Sequence, residues 1–98
     1  MAVLVDELRE YPHVHMPVKV WCHMVSDESF DELHAFAHAL GIPRARFQRD
    51  HYDLHAPLRA RAVELGASEV GIHELAQRMA GPRGDRNRAR RAQRGAAR

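Results

Sequence analysis

The sequence predicts an α/β fold. It describes a small single domain with a short mixed sheet of about three strands, packed by three helices and followed by a disordered basic C-terminal tail. Three observations carry this. Two short apolar runs rich in β-branched residues, VLVD (3–6) and VKVWCHMV (18–25), precede segments of helical period, in the order β-β-α-turn-α-β-α. Gly and Pro punctuate the boundaries of the helical segments. Apolar periodicity ends at Pro82, beyond which the chain is mostly Arg, Ala and Gly. The division is therefore a domain over residues 1–81 and a tail over residues 82–98.

VLVD reads as a short buried strand ending at an acid. Residues 7–17 read as irregular, because Pro12 and Pro17 flank His13 and His15. In the second strand, alternation places Val18, Val20, Cys22 and Met24 on one face, with Lys19, Trp21, His23 and Val25 on the other. About eleven residues join the two strands, around the lower limit for a parallel crossover, so either pairing is open. The first helix opens with the capping box Ser29/Glu32. Phe30, Leu33, Phe36, Ala37 and Leu40 form its apolar face, and Gly41 and Pro43 end it. ARFQ (45–48) is consistent with one helical turn. A second helix is predicted from about Ala56 to Leu65, with Pro57 in its first turn and Gly66 as its stop. SEVG (68–71) supplies a short strand, and Ile72, Leu75, Ala76 and Met79 mark a third helix near 73–80.

The 98 residues suit one domain near the lower end of comfortable size. The single cysteine, Cys22, excludes an internal disulfide and a Cys-cluster zinc site, so the reducing cytoplasm is the expected compartment. MAVLVDELRE lacks a basic n-region and its apolar run is broken at Asp6, so no signal peptide is expected. No apolar run approaches the roughly 18 residues that span a bilayer, and no membrane partner is expected. The net charge of +2 hides an asymmetry. Residues 82–98 hold seven Arg and one Asp (+6), which leaves eight basic and twelve acidic residues (−4) in 1–81. Seven of the eight histidines lie before residue 56.

The pieces VD (5–6), WCHMVSD (21–27), DELHAFA (31–37), LGI (40–42), FQ (47–48) and HYDL (51–54), with Arg59, Ala62 and LGA (65–67), resemble a small bacterial and phage family. It is the domain of unknown function numbered four thousand and thirty-one. The resemblance covers roughly residues 3–75. It implies a shared set of polar positions: Asp6, His23, Asp27, Glu32, His34, Gln48, His51, Tyr52 and Asp53. It implies no activity. His13, His15, His38, His55, His73 and the arginine tail fall outside its motifs.

Several of these positions suit chemistry. His51 and Asp53 are one residue apart, so on an extended segment both point to the same side. An imidazole and a carboxylate so placed suit a divalent metal or a base with its orienting acid. The plainer reading is a capped turn, but Pro57 sets the next helix start near His55 or Ala56 and so takes the capping role from Asp53. His23 lies on the Trp21 face of the second strand and joins this site if that strand runs beside HYDL. His34 and His38, at i and i+4 with Asp31 on the same side, have a spacing that suits one metal ion, although a solvated pair of helix histidines is the commoner case. Asp6 and Asp27 each end a strand, and Asp27 also sits where a helix N-terminus favours an anion. Cys22 reads as a small core residue rather than a nucleophile. No P-loop, dinucleotide loop or nucleophile elbow is present.

The leading expectation is a small divalent-metal-dependent enzyme acting on a phosphoester or nucleotide. Asp6, His23, His51 and Asp53 are the metal-ligand candidates, with His34 (as base or further ligand) and Tyr52 as the catalytic candidates. Mixed nitrogen and oxygen ligands suit zinc, manganese or nickel. The alternatives are a non-enzymatic protein- or nucleic-acid-binding module, with phosphate contact through the Arg83–Arg98 tail, and a structural homodimer that covers its sheet edges.

Overall fold

The computed structural model describes residues 2–96. Its elements are β1 (Val3–Val5), β2 (Arg9–Glu10), β3 (Val20–Ser26), α1 (Phe30–Ala39), a 3-10 turn (Arg44–Arg46), β4 (Tyr52–Leu54), α2 (Ala56–Leu65), β5 (Ser68–Glu69), α3 (Ile72–Arg78) and α4 (Pro82–Ala96). The α/β class and mixed sheet are as expected. Among the described residues there are five strands rather than about three, and four helices rather than three.

β3 is the centre of the sheet. β1 pairs with its C-terminal half and β2 with its N-terminal end, both antiparallel, whereas β4 pairs antiparallel across Cys22 to Met24. β5 adds to β1 in parallel. The question of strand pairing is thereby answered: β1 and β3 are antiparallel, with Val5 opposite Met24. Arg9 lies opposite Trp21, so residues 6–8 face only residues 22–23. One extra residue is accommodated there as a β-bulge directly after Asp6.

Alternation along β1 and β3 feeds two cores. Val3, Val5, Cys22 and Met24, with Tyr52 and Leu54 of β4, pack against Leu33 and Ala37 of α1, Leu40 at its C-cap and Ala62 of α2. Leu4 and Val25 point the other way, onto Leu75 and Met79. Both sheet faces are covered near β1, which is why all three of its residues are buried apolar.

Local signals explain the helix ends. The Ser29 side chain accepts from the Glu32 amide, half of the capping box. The Glu32 carboxylate accepts instead from the Ser26 hydroxyl, which itself accepts from the amides of Glu28 and Ser29. α2 is capped by His55, whose Nδ1 accepts from the Leu58 amide. Gly66 closes α2 in the left-handed conformation.

The disordered tail is a correction: residues 82–96 form α4, and residues 97 and 98 of that segment lie outside the described residues. Pro82 suits a first helical position, and Arg, Ala and Gln propagate a helix well. Docking is polar rather than apolar. Asn87 Nδ2 donates to the Ala76 carbonyl, and Arg88 donates to the carbonyls of Gln77 and Met79 at the end of α3. Gly84 is buried so tightly that a Cβ there would stand 1.8 Å from the Met79 carbonyl oxygen. No described helix is long and apolar enough to cross a membrane.

Candidate functional site

β3 and β4 place His23 directly opposite Asp53. His51, two residues before Asp53, lies on the same side of the extended segment. The rings of His23 and His51 are 5.3 Å apart, edge to face, and His51 Nε2 is 3.3 Å from Asp53 Oδ1. His23, His51 and Asp53 each offer one ligand atom, and these atoms lie within 4.8 Å of one another. They are the one group of this kind among the described residues.

Each member is held from behind. Asp6, fully buried, accepts the His23 amide at 2.6 Å on Oδ1 and meets His23 Nδ1 at 2.8 Å with Oδ2. Its position just before the bulge turns it toward His23 in mid-strand. Asp50, 2% exposed, meets His51 Nδ1 at 2.9 Å. Arg83 of α4 grips the same carboxylate with two bonds, at 3.0 and 2.7 Å. Gln48 Nε2 donates to Asp53 Oδ2 at 3.1 Å. A tight turn at Arg49 and Asp50, bridged from Gln48 to His51, brings these partners together. Arg49 adopts φ 58°, a left-handed conformation that costs a non-glycine residue roughly 1–2 kcal/mol.

The electrostatics follow the contacts. The hydrogen bond to Asp53 raises the His51 pKa; burial opposes this and the Asp50 bond adds to it. Burial works against the charge of Asp53 and of Asp50. The His51 bonds to each, with Arg83 on Asp50, nevertheless hold both carboxyls below their ordinary value. Burial first, and Asp6 second, push the Cys22 thiol up to about 12. A buried thiol of that kind is no nucleophile at neutral pH, and Cys22 sits in the core as expected.

The expected residues thus separate into groups. His23, His51 and Asp53 converge. Asp6 stands behind His23, with both oxygens on that residue, rather than beside the other three. His34 and Tyr52 meet each other, His34 Nδ1 to the Tyr52 hydroxyl at 2.9 Å, but on the opposite face of β4 against Phe47. Strand alternation puts Tyr52 in the first core while its neighbours His51 and Asp53 face away from it. His38 is exposed. Asp27 accepts from the Ala2 amide and pairs with Arg78, which ties the β1 end to α3.

Sequence reasoning passed over Asp50 and Arg83. Asp50 precedes His51, and adjacent residues on a strand face opposite ways; only the tight turn lets both serve one site. Arg83 belongs to a segment with no apolar period, so hydrophobic patterning carries no sign of its docking.

The sequence model of one family, a protein of unknown function (DUF4031), matches residues 3–81. Nothing matches the chain significantly among curated proteins or among solved structures. The match spans most of the chain and takes in His23, His51, Asp53 and their holders Asp6, Gln48 and Asp50, so this chain belongs to the DUF4031 family.

Proposed function

We propose that this protein is a divalent-metal-dependent enzyme acting on a phosphoester or nucleotide, with His23, His51 and Asp53 as the metal ligands. One observation carries the reading. Two buried carboxylates, Asp6 and Asp50, each engage the Nδ1 of one imidazole. An ionised carboxylate only accepts, so Asp6 directs the proton of a neutral His23 ring to Nδ1 and leaves the lone pair on Nε2. His51, with Asp50 at Nδ1 and Asp53 at Nε2, offers its Nε2 lone pair once the proton it shares with Asp53 is lost. That is the arrangement in which histidines serve as metal ligands, with the carboxylate setting tautomer and orientation.

Formal charge supports the same reading. Asp6, Asp50 and Asp53 against Arg83 leave two negative charges, which a divalent cation balances. Three protein ligands leave a position open for water or substrate. A bound ion there supplies Lewis acidity and a water of lowered pKa. A reducing cytoplasm suits a protein whose one thiol is buried and unpaired.

The test is thermal unfolding of chelator-treated protein titrated with zinc, manganese or nickel. At a hundredfold excess over Kd, binding to the folded state alone stabilises by about 2.7 kcal/mol. His51→Ala and Asp53→Ala should remove most of that rise. If no divalent ion moves the melting temperature, the metal reading fails.

A second reading rests on α4, where Arg86, Arg90, Arg91 and Arg94 are solvent-exposed on one helix. They suit salt-sensitive contact with a nucleic-acid backbone. Replacing these four by Gln spares Arg83 and Arg88, which hold the helix in place. Low-salt binding to generic DNA or RNA should then disappear, and binding that persists removes this reading.

A further inference from the structure

His23 and His51 are the common wall of two clefts. One, of about 190 Å³, lies between the sheet and helices α3 and α4, against Val25, Leu75, Ala76 and Met79, with Arg83 at its side. The other, of about 170 Å³, is formed by Tyr11, Val14, Met16 and Trp21, and His23, His51 and Asp53 all line it. Each is comparable in size to a cavity that holds one benzene-sized ring, roughly 150 Å³. Both are largely apolar apart from the shared histidines and a few polar groups.

We propose that the site takes a phosphodiester, with the phosphate at His23, His51 and Asp53 and one ring-bearing ester arm in each cleft. This rests on the metal-dependent phosphoester reading above and names its substrate class. The two clefts supply a place for two arms, where a monoester has one. Charge points the same way. The guanidinium of Arg83 is already bidentate on Asp50. With a divalent ion bound, the formal charges of Asp6, Asp50, Asp53 and Arg83 sum to zero, so the site has no surplus positive charge for the dianion of a monoester. A diester carries one negative charge. In the reaction the oxygen of water bonds to phosphorus and one P–O ester bond breaks. The leaving oxygen takes one proton of the water, giving an alcohol and a monoester that keeps the other.

The experiment compares bis(4-nitrophenyl) phosphate with 4-nitrophenyl phosphate on the full chain, loaded with the metal that shifts its melting temperature. The second arm should raise kcat/KM about tenfold or more. The diester should also quench the fluorescence of Trp21, the chain's one tryptophan, more strongly than the monoester does. Ala76→Phe fills the first cleft and Val14→Phe the second. Each should lower diester turnover about tenfold while the metal-induced rise in melting temperature stays. Val14 lies in the loop before β3, outside both cores, so at least that variant should fold. A metal-induced rise with no diester preference and no Trp21 quenching overturns this inference alone. No rise with any divalent ion overturns the metal reading and this inference together.

Discussion

Asp50 shows how much one side chain decides at this site. It is 2% exposed and is bonded to His51 on one side and to Arg83 on the other. Asp50→Ala should therefore destabilise the fold by about 2–3 kcal/mol, toward the low end for a broken buried pair because Arg83 is partly exposed. Asp50→Asn keeps an acceptor and should cost less. Metal affinity should fall 10–100-fold in Asp50→Ala and in Asp6→Asn, since each loosens an imidazole without removing it. Isothermal titration alongside urea unfolding separates the two effects.

Stability against pH follows from the same contacts. His51 titrates above the unfolded value of about 6.5. Its contribution is complete below that value and is lost as pH rises through the folded pKa. Asp27, Asp50 and Asp53 titrate below the unfolded value of about 3.9. Their contribution is complete above it and is lost as pH falls toward the folded pKa values. Chelated protein should therefore be most stable between roughly pH 4 and 6.5, as urea melts across the range would show. Metal affinity should rise with pH, because a ligating His51 must first lose its proton.

Among the elements, α4 and the β-bulge matter most. Helix α4 is held by backbone proximity and polar anchors, and at Gly84 it packs directly on the Met79 backbone that follows α3. Gly84→Ala would press a Cβ into the Met79 carbonyl, so the helix must shift, at a cost of about 1–3 kcal/mol. Gly95→Ala is the contrast: nothing lies within 4 Å of its added carbon. There the helix propensity of alanine should stabilise by a few tenths of a kcal/mol, below the full ~1 kcal/mol of a helix interior. Differential scanning fluorimetry of the pair reads the sign directly. The bulge acts differently. Without it, β1 and β2 would continue in one register along β3 and Asp6 would not precede a kink.

For the whole molecule, the charge division takes on a structural meaning. Residues 82–98 carry +6 and residues 1–81 carry −4, and α4 folds back so that Arg83 meets the buried Asp50. The family match ends at residue 81, yet the wall of the first cleft continues to Arg83 and Asn87. A chain ending at Gly81 loses those groups and the Arg88 bonds to the end of α3, and uncovers Met79, on which Gly84 packs. Its melting temperature should fall by about 10 °C or more, taking about 4–8 °C per kcal/mol for a domain of this size. Metal binding should weaken in parallel as His51 loses its fixed carboxylate. Equal melting temperatures for the two chains would show that α4 adds nothing to the domain.

Sequence alone determined what depends on neighbours along the chain. Ser29, Gly41, Pro57 and Gly66 set the helix limits through backbone geometry, and the period of two put His51 and Asp53 on one side of a strand. It also selected His23 as a partner for them if the strands adjoined. Only the tertiary structure decided that they do, because strand order and register rest on contacts between distant residues. Asp6 reaches His23 across 17 positions, through antiparallel pairing and a bulge. Arg83 reaches Asp50 across 33, through a helix whose docking is polar and so leaves no hydrophobic period to read. Periodicity reports which residues share a face of one element; which faces meet is settled by packing.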